Sequence, residues 1–139
     1  MIRMDKLTIK AQEALAASLE LASELGHPEI SDMHLLRALA SQEQGAVASI
    51  LQRIGIAPSQ ATAAADEALS HNPRVSGGNG QPGLGGDANK ALDIGWRHAQ
   101  QLKDEYLSTE HILLGLLEAA GDAARLLKQL GVTAQAVLQ

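Results

Sequence analysis

A stretch near the start of the chain returns in its second half. Ile30-Ser31-Asp32-Met33-His34-Leu35-Leu36-Arg37-Ala38-Leu39 reappears as Leu107-Ser108-Thr109-Glu110-His111-Ile112-Leu113-Leu114-Gly115-Leu116, with the Ser and the His both displaced by 77 positions. At the same displacement Ala11, Ala14, Leu15, Ala22 and Leu25 meet Ala88, Ala91, Leu92, Ala99 and Leu102. After a one-residue deletion, Gly45, Ala48, Leu51 and Gly55 face Gly121, Ala124, Leu127 and Gly131. The chain is therefore a tandem duplication of a unit of about 75 residues, and whatever one copy folds into, the other must also accommodate.

Each copy reads as four helices. In the first, Thr8 can cap a helix whose stripe Ala11, Leu15, Ala22, Leu25 follows helical spacing, and Gly26 offers a left-handed stop before His27-Pro28. Ser31 is placed to cap a second helix carrying Leu35, Leu36 and Leu39; a third runs from about Ala46 to Ile54 and ends at Gly55. Pro58-Ser59 opens a fourth, alanine-rich helix through about Leu69. In the second copy helices are expected near Ala88–Leu102, Thr109–Glu118, Asp122–Leu130 and from Thr133 onward. Repeat one then covers 4–70 and repeat two 88–139, joined by a link over 71–87 so rich in Gly and Pro that no regular structure is expected in it. By analogy with the first copy, the last helix should continue past Gln139, so the chain is expected to be part of a longer protein.

Composition narrows the class. Hydrophobic residues are 45% of the chain but aromatics only 1%, Trp96 and Tyr106 with no Phe, so the core must be made of Leu, Ile, Val and Ala. A chain so rich in Ala and Leu and so poor in aromatic and β-branched residues favours an all-α fold, because Ala and Leu lose little side-chain entropy in a helix. The net charge is −5 and no Lys/Arg cluster occurs, which disfavours binding to nucleic-acid phosphates. There is no cysteine, hence no disulfide, thiolate zinc site or cysteine nucleophile. No apolar run is long enough for a signal peptide core or a membrane span, and a cytoplasmic location is expected.

Several motifs invite chemical readings. Gly78-Asn79-Gly80-Gln81-Pro82-Gly83 satisfies GxGxxG as text, but no strand precedes it and Pro82 removes an amide, so no dinucleotide cofactor is expected. No P-loop is present, so this piece should not hydrolyse ATP. His34 and His111 each follow a Ser by three residues and recur by duplication; Ser31, His34, Ser108 and His111 are read as structural caps related to the capping box. No HExxH pair points to a metal and no GxSxG elbow supports a histidine-dependent hydrolase. Substitution of either His by Asn would separate a cap from a catalyst. Asp104, Glu105 and Glu110 flank Tyr106, which fits either a solvated loop with Glu110 at a helix dipole or the polar rim of a groove with an aliphatic floor.

The Ser-x-x-His-(Leu/Ile)-Leu helix start and the Leu-x-x-(Leu/Ile)-Gly-(Ile/Val) end of the third helix resemble the Clp N-terminal repeat domain of the Clp AAA+ unfoldases, over essentially Met4 to Gln139. Met4-Asp5-Lys6-Leu7-Thr8-Ile9-Lys10-Ala11-Gln12-Glu13-Ala14-Leu15 and the long Gly-rich link after Val75-Ser76 look most like the disaggregase branch of that family. The resemblance implies a mobile domain tethered to two ATPase modules in a hexameric ring. It implies a groove that takes exposed hydrophobic stretches of unfolded or aggregated polypeptides, with the DnaK chaperone system cooperating elsewhere on the protein. Other branches use the equivalent domain for adaptor proteins and feed a protease. The isolated domain is expected to be a monomer.

Carried over residue by residue, the family's functional Thr matches Thr8, and its acidic pair in Asp-x-aromatic-(Ile/Leu)-Ser-(Ser/Thr)-Glu matches Asp104 and Glu110 with Tyr106 as the aromatic. The family's apolar groove positions on the fifth helix fall near Leu92 and Ile94. His98 and His111 depart from the pattern, standing where aliphatic residues occur in some relatives.

Overall fold

The structure, a computed structural model, describes residues 4–74 and 81–139. A single 3-10 turn at Met4–Lys6 leads into α1 (Ile9–Glu24), β1 (Glu29–Ile30), α2 (Asp32–Ser41), α3 (Ala46–Ile54) and α4 (Pro58–Ser70). The second half runs β2 (Gly83–Leu84), α5 (Gly86–Gln101), α6 (Thr109–Glu118), α7 (Asp122–Leu130) and α8 (Ala134–Leu138). The all-α expectation and the four-plus-four helix count hold among the described residues.

Local signals place the helix ends. The Thr8 side chain accepts from the Ala11 N–H at 3.2 Å, and Thr133 does the same for Ala136 at 3.1 Å. Gly26, Gly55 and Gly131 hold φ of 70°, 101° and 95°, the left-handed values expected where a helix is stopped by glycine. The position equivalent to Gly26 is Lys103, which adopts φ 61° despite its side chain.

The link is a correction. Its residues 75–80, including Gly78 and Gly80 of the GxGxxG text, lie outside the described residues, but its far end is regular. Gly83–Leu84 pairs in parallel with Glu29–Ile30, Gly85 N–H donates to the Ile30 carbonyl at 2.9 Å, and α5 starts at Gly86. The duplication explains it: Leu7 bridges Leu107 in the same parallel sense, with Thr8 N–H donating to the Leu107 carbonyl at 3.0 Å. Displaced by 77 positions, Leu7 becomes Leu84 and Ile30 becomes Leu107. Each repeat therefore lends the segment before its first helix to the other repeat.

The interior belongs to both copies. α2 and α6 are central, burying Leu35, Leu36 and Leu39 on one and Ile112, Leu113, Leu114 and Leu116 on the other. Each packs against helices of both repeats, α2 on α7 and α6 on α3 among them. Burying a Leu or Ile side chain is worth about 1.5–3 kcal/mol, so neither half would keep its stability if these contacts were opened. α5 and α6 approach closely because two glycines face each other: a Cβ at Gly115 would stand 1.9 Å from the Ala91 carbonyl oxygen, and one at Gly95 would stand 2.7 Å from that of His111.

One polar link also crosses between repeats. Asp32, buried at the start of α2, accepts the Ala123 N–H of α7 at 3.1 Å, while its own N–H donates to the Asp87 carboxylate at 3.3 Å. Burial pushes the Asp32 carboxyl up to about 6; the Ala123 hydrogen bond opposes the rise and the Asp87 charge adds to it.

Candidate functional site

The bridge between Leu7 and Leu107 sets the start of α1 beside the turn that leads into α6. Next to this junction opens a cavity of about 680 Å³. Ala46, Ser49, Ile50 and Arg53 of α3 line one side of it, Val137 and Leu138 of α8 another, and the turn from Leu102 to Glu110 a third. The groove thus lies between the repeats, since α3 belongs to one and α8 to the other.

Its apolar surface is open to solvent. Leu102, Tyr106 and Leu138 are 55%, 48% and 58% exposed, and they line the groove. Leaving three large apolar side chains together in water forgoes their burial, which in soluble proteins marks a surface for a partner. Arg53 ties two walls together: its guanidinium donates to the Ala136 and Val137 carbonyls at 2.6 and 3.3 Å. Among the described residues, the Lys6 ammonium lies 5.7 Å from the centre of the Tyr106 ring.

Of the residues singled out in the sequence, Thr8, Asp104, Tyr106 and Glu110 are brought together around this groove. Leu92 is not, and its placement is a correction. It is fully buried, because the glycine-mediated contact of α5 with α6 turns its face of α5 into the core. Ile94 is half-buried against that core and does not line the groove either. Sequence reasoning missed Ile50, Arg53, Leu102, Val137 and Leu138. Leu102 could have been found as the unpaired apolar neighbour of the acidic turn; the others depend on which helices meet across the repeats.

The capping histidines are built alike in both copies. The Ser31 N–H donates to His34 Nδ1 at 2.8 Å and the Ser108 N–H to His111 Nδ1 at 2.9 Å, while each Ser Oγ accepts the N–H of its own His. Because a backbone N–H can only donate, Nδ1 is the unprotonated nitrogen and Nε2 carries the proton. In repeat two that proton goes to Asp104 Oδ2, 2.9 Å away; in repeat one it goes to His27 Nδ1, 2.8 Å away. Ser108, His111 and Asp104 therefore have the composition of a hydrolytic triad but not its chemistry. The imidazole lone pair that would take the Ser proton already accepts a backbone N–H. His98, the other departure, pairs with Glu118 away from the groove.

In repeat one the pair is buried. Burial lowers the pKa of His27, with Arg74 adding to the effect, and burial with the neighbouring His27 brings His34 down to about 4 against a smaller opposing pull from Asp87.

The fold and groove define a class: an all-helical tandem-repeat domain with a solvent-open apolar groove between its repeats. The chain belongs to the Clp repeat (R) N-terminal domain family, whose profile matches residues 6–130. It is 38% identical over 130 residues to chaperone protein ClpB of Mycobacterium tuberculosis, covering 94% of this chain and 15% of that protein. The chain therefore spans about one seventh of the length of such relatives. The N-terminal domain of Hsp104 from Candida albicans has the same fold, with a TM-score of 0.83 at 20% identity over 95% of this chain and 86% of that one. So does a ClpV N-domain, at TM-score 0.75 and 22% identity over 94% of this chain and 86% of that one. No described helix is long and apolar enough to cross a membrane.

Proposed function

We propose that this chain is the substrate-engaging N-domain of a ClpB-like protein disaggregase. It captures exposed hydrophobic segments of unfolded or aggregated polypeptides and helps deliver them to the pore of a hexameric ATPase, with the DnaK system cooperating. The observation that carries this reading is the exposure of Leu102, Tyr106 and Leu138, which all line one groove between the repeats. Thr8, Asp104 and Glu110 are its polar rim.

Apolar contact with few directional hydrogen bonds accepts many sequences weakly, which suits a motor that must afterwards remove its client. A ring of tethered copies raises local concentration, so no single site needs to be strong. The ClpV N-domain of the same fold is described in complex with a VipB peptide, which supports a polypeptide as the occupant.

An NMR titration with an unfolded, aggregation-prone polypeptide, and a folded protein as control, tests the reading. Shifts clustered at Thr8, Leu102, Asp104, Tyr106, Glu110 and Leu138 with the unfolded chain only are expected. Saturable binding to one folded partner instead would assign the groove to an adaptor, as in a ClpC- or ClpA-like unfoldase. No response to either would defeat both.

A further inference from the structure

The duplication applies to the groove as well as to the core. At the displacement of 77, the groove-lining Asp104, Glu105, Tyr106, Ser108 and His111 become His27, Pro28, Glu29, Ser31 and His34. These five line one smaller cavity of about 200 Å³ in repeat one. Its remaining wall is Asn72 and Pro73, from the start of the link, whereas no link residue is among those lining the groove.

We propose that residues 72–74 are a strap that closes this second copy of the groove wall, so that the duplicated site is held shut by the chain itself and opens when the strap is displaced. The proposal rests on the groove reading above for what the opened site would take, a segment of unfolded polypeptide.

The two copies differ in what reaches water. Leu102 is 55% exposed and Asp104 is exposed, whereas their counterparts Leu25 and His27 are half-buried and buried. Arg74 stands near enough to His27 for its charge to act on the ring, so both ends of the strap meet the same wall. The strap is anchored on one side only: the Asn72 N–H donates to the carbonyl of the core residue Leu69 at 3.1 Å, and Pro73 cannot continue α4. Asn72, Pro73 and Arg74 are themselves exposed, so lifting them gives up little burial and costs little beside unfolding the repeat. A strap that leaves the site open in no more than about a tenth of the molecules weakens binding there about tenfold, because apparent affinity scales with the open fraction.

The test compares the native chain with one carrying Asn72→Gly, Pro73→Gly and Arg74→Gly together. Broadening of amide NMR signals by a soluble gadolinium chelate reports exposure without any client. Titration with reduced, carboxymethylated α-lactalbumin, a permanently unfolded polypeptide, reports binding. In the variant, His27 and Ser31 are expected to broaden more than in the native chain while Asp104 and Ser108 do not change. A second set of shifts, at Leu25, Glu29 and Ser31, is expected to saturate about tenfold more tightly in the variant, with the groove shifts unaltered. Equal broadening at His27 and Ser31 in the two proteins overturns the strap. So does a second set of equal affinity in the native chain, or its absence from the variant while the groove shifts persist. Loss of the groove shifts in both proteins overturns the groove reading instead, and the broadening then decides on the strap alone.

Discussion

His27 and Asp104 occupy the same position in the two repeats, and each accepts the Nε2 proton of the histidine that caps the next helix, at 2.8 and 2.9 Å. The duplicated cap is thus completed by a neutral ring in one copy and a carboxylate in the other. That single divergence makes one repeat acid-sensitive and places a charge on the groove in the other.

The first prediction concerns pH. His34, lowered to about 4 in the fold from an ordinary 6.5, contributes stability that is fully present above pH 6.5 and lost as pH falls to about 4; His27, also lowered, acts in the same direction. Asp32, raised to about 6, acts oppositely, so its effect must be removed to see theirs. In an Asp32→Asn background, urea unfolding should show about 2–3 kcal/mol less stability at pH 4.5 than at pH 7. Equal midpoints and slopes at the two pH values would refute this.

Asp32 supplies the second. A carboxyl whose pKa is raised by the fold favours folding below its unfolded value near 3.8, and that advantage is lost as pH rises through about 6. At pH 7 the buried carboxylate is therefore a cost. Asp32→Asn keeps an oxygen for the Ala123 N–H and removes the charge, so it should stabilise the fold by about 1–3 kcal/mol at pH 7. The gain should shrink towards pH 4, as chemical denaturation at the two pH values would show.

The third tests the α5–α6 contact. Gly115→Ala puts a methyl group where the Ala91 carbonyl oxygen stands 1.9 Å away, whereas Gly95→Ala meets the His111 carbonyl at 2.7 Å. Both should destabilise, Gly115→Ala by more than about 2 kcal/mol and Gly95→Ala by less. Thermal unfolding of the two variants checks the order.

The fourth separates groove from core. Tyr106→Ala and Leu102→Ala remove half-exposed surface, so each should weaken binding of an unfolded polypeptide about fivefold while leaving the melting temperature nearly unchanged. Leu92→Ala should do the reverse, costing about 2–5 kcal/mol of stability as a buried Leu does. If Leu92→Ala instead weakened binding at unchanged stability, its place in the core would be wrong.

The duplication was legible as a match at a fixed displacement of 77, and the helical class, the Thr8, Ser31 and Ser108 caps and the glycine stops were legible because each depends on residues within one or two helical turns of one another. Even the strand hidden at the end of the Gly-rich link was written there, since Leu84 is the counterpart of Leu7 at the displacement of 77. Helical spacing likewise put Leu92 on an apolar face, but an apolar stripe looks the same whether it is covered by another helix or left open. Only the tertiary structure decided that α6, admitted by Gly95 and Gly115, covers Leu92, and that α3 of one repeat and α8 of the other leave Leu102, Tyr106 and Leu138 uncovered between them. Local periodicity determines which face of a helix is apolar; what that face meets is set by long-range packing, in which each repeat is completed by the other.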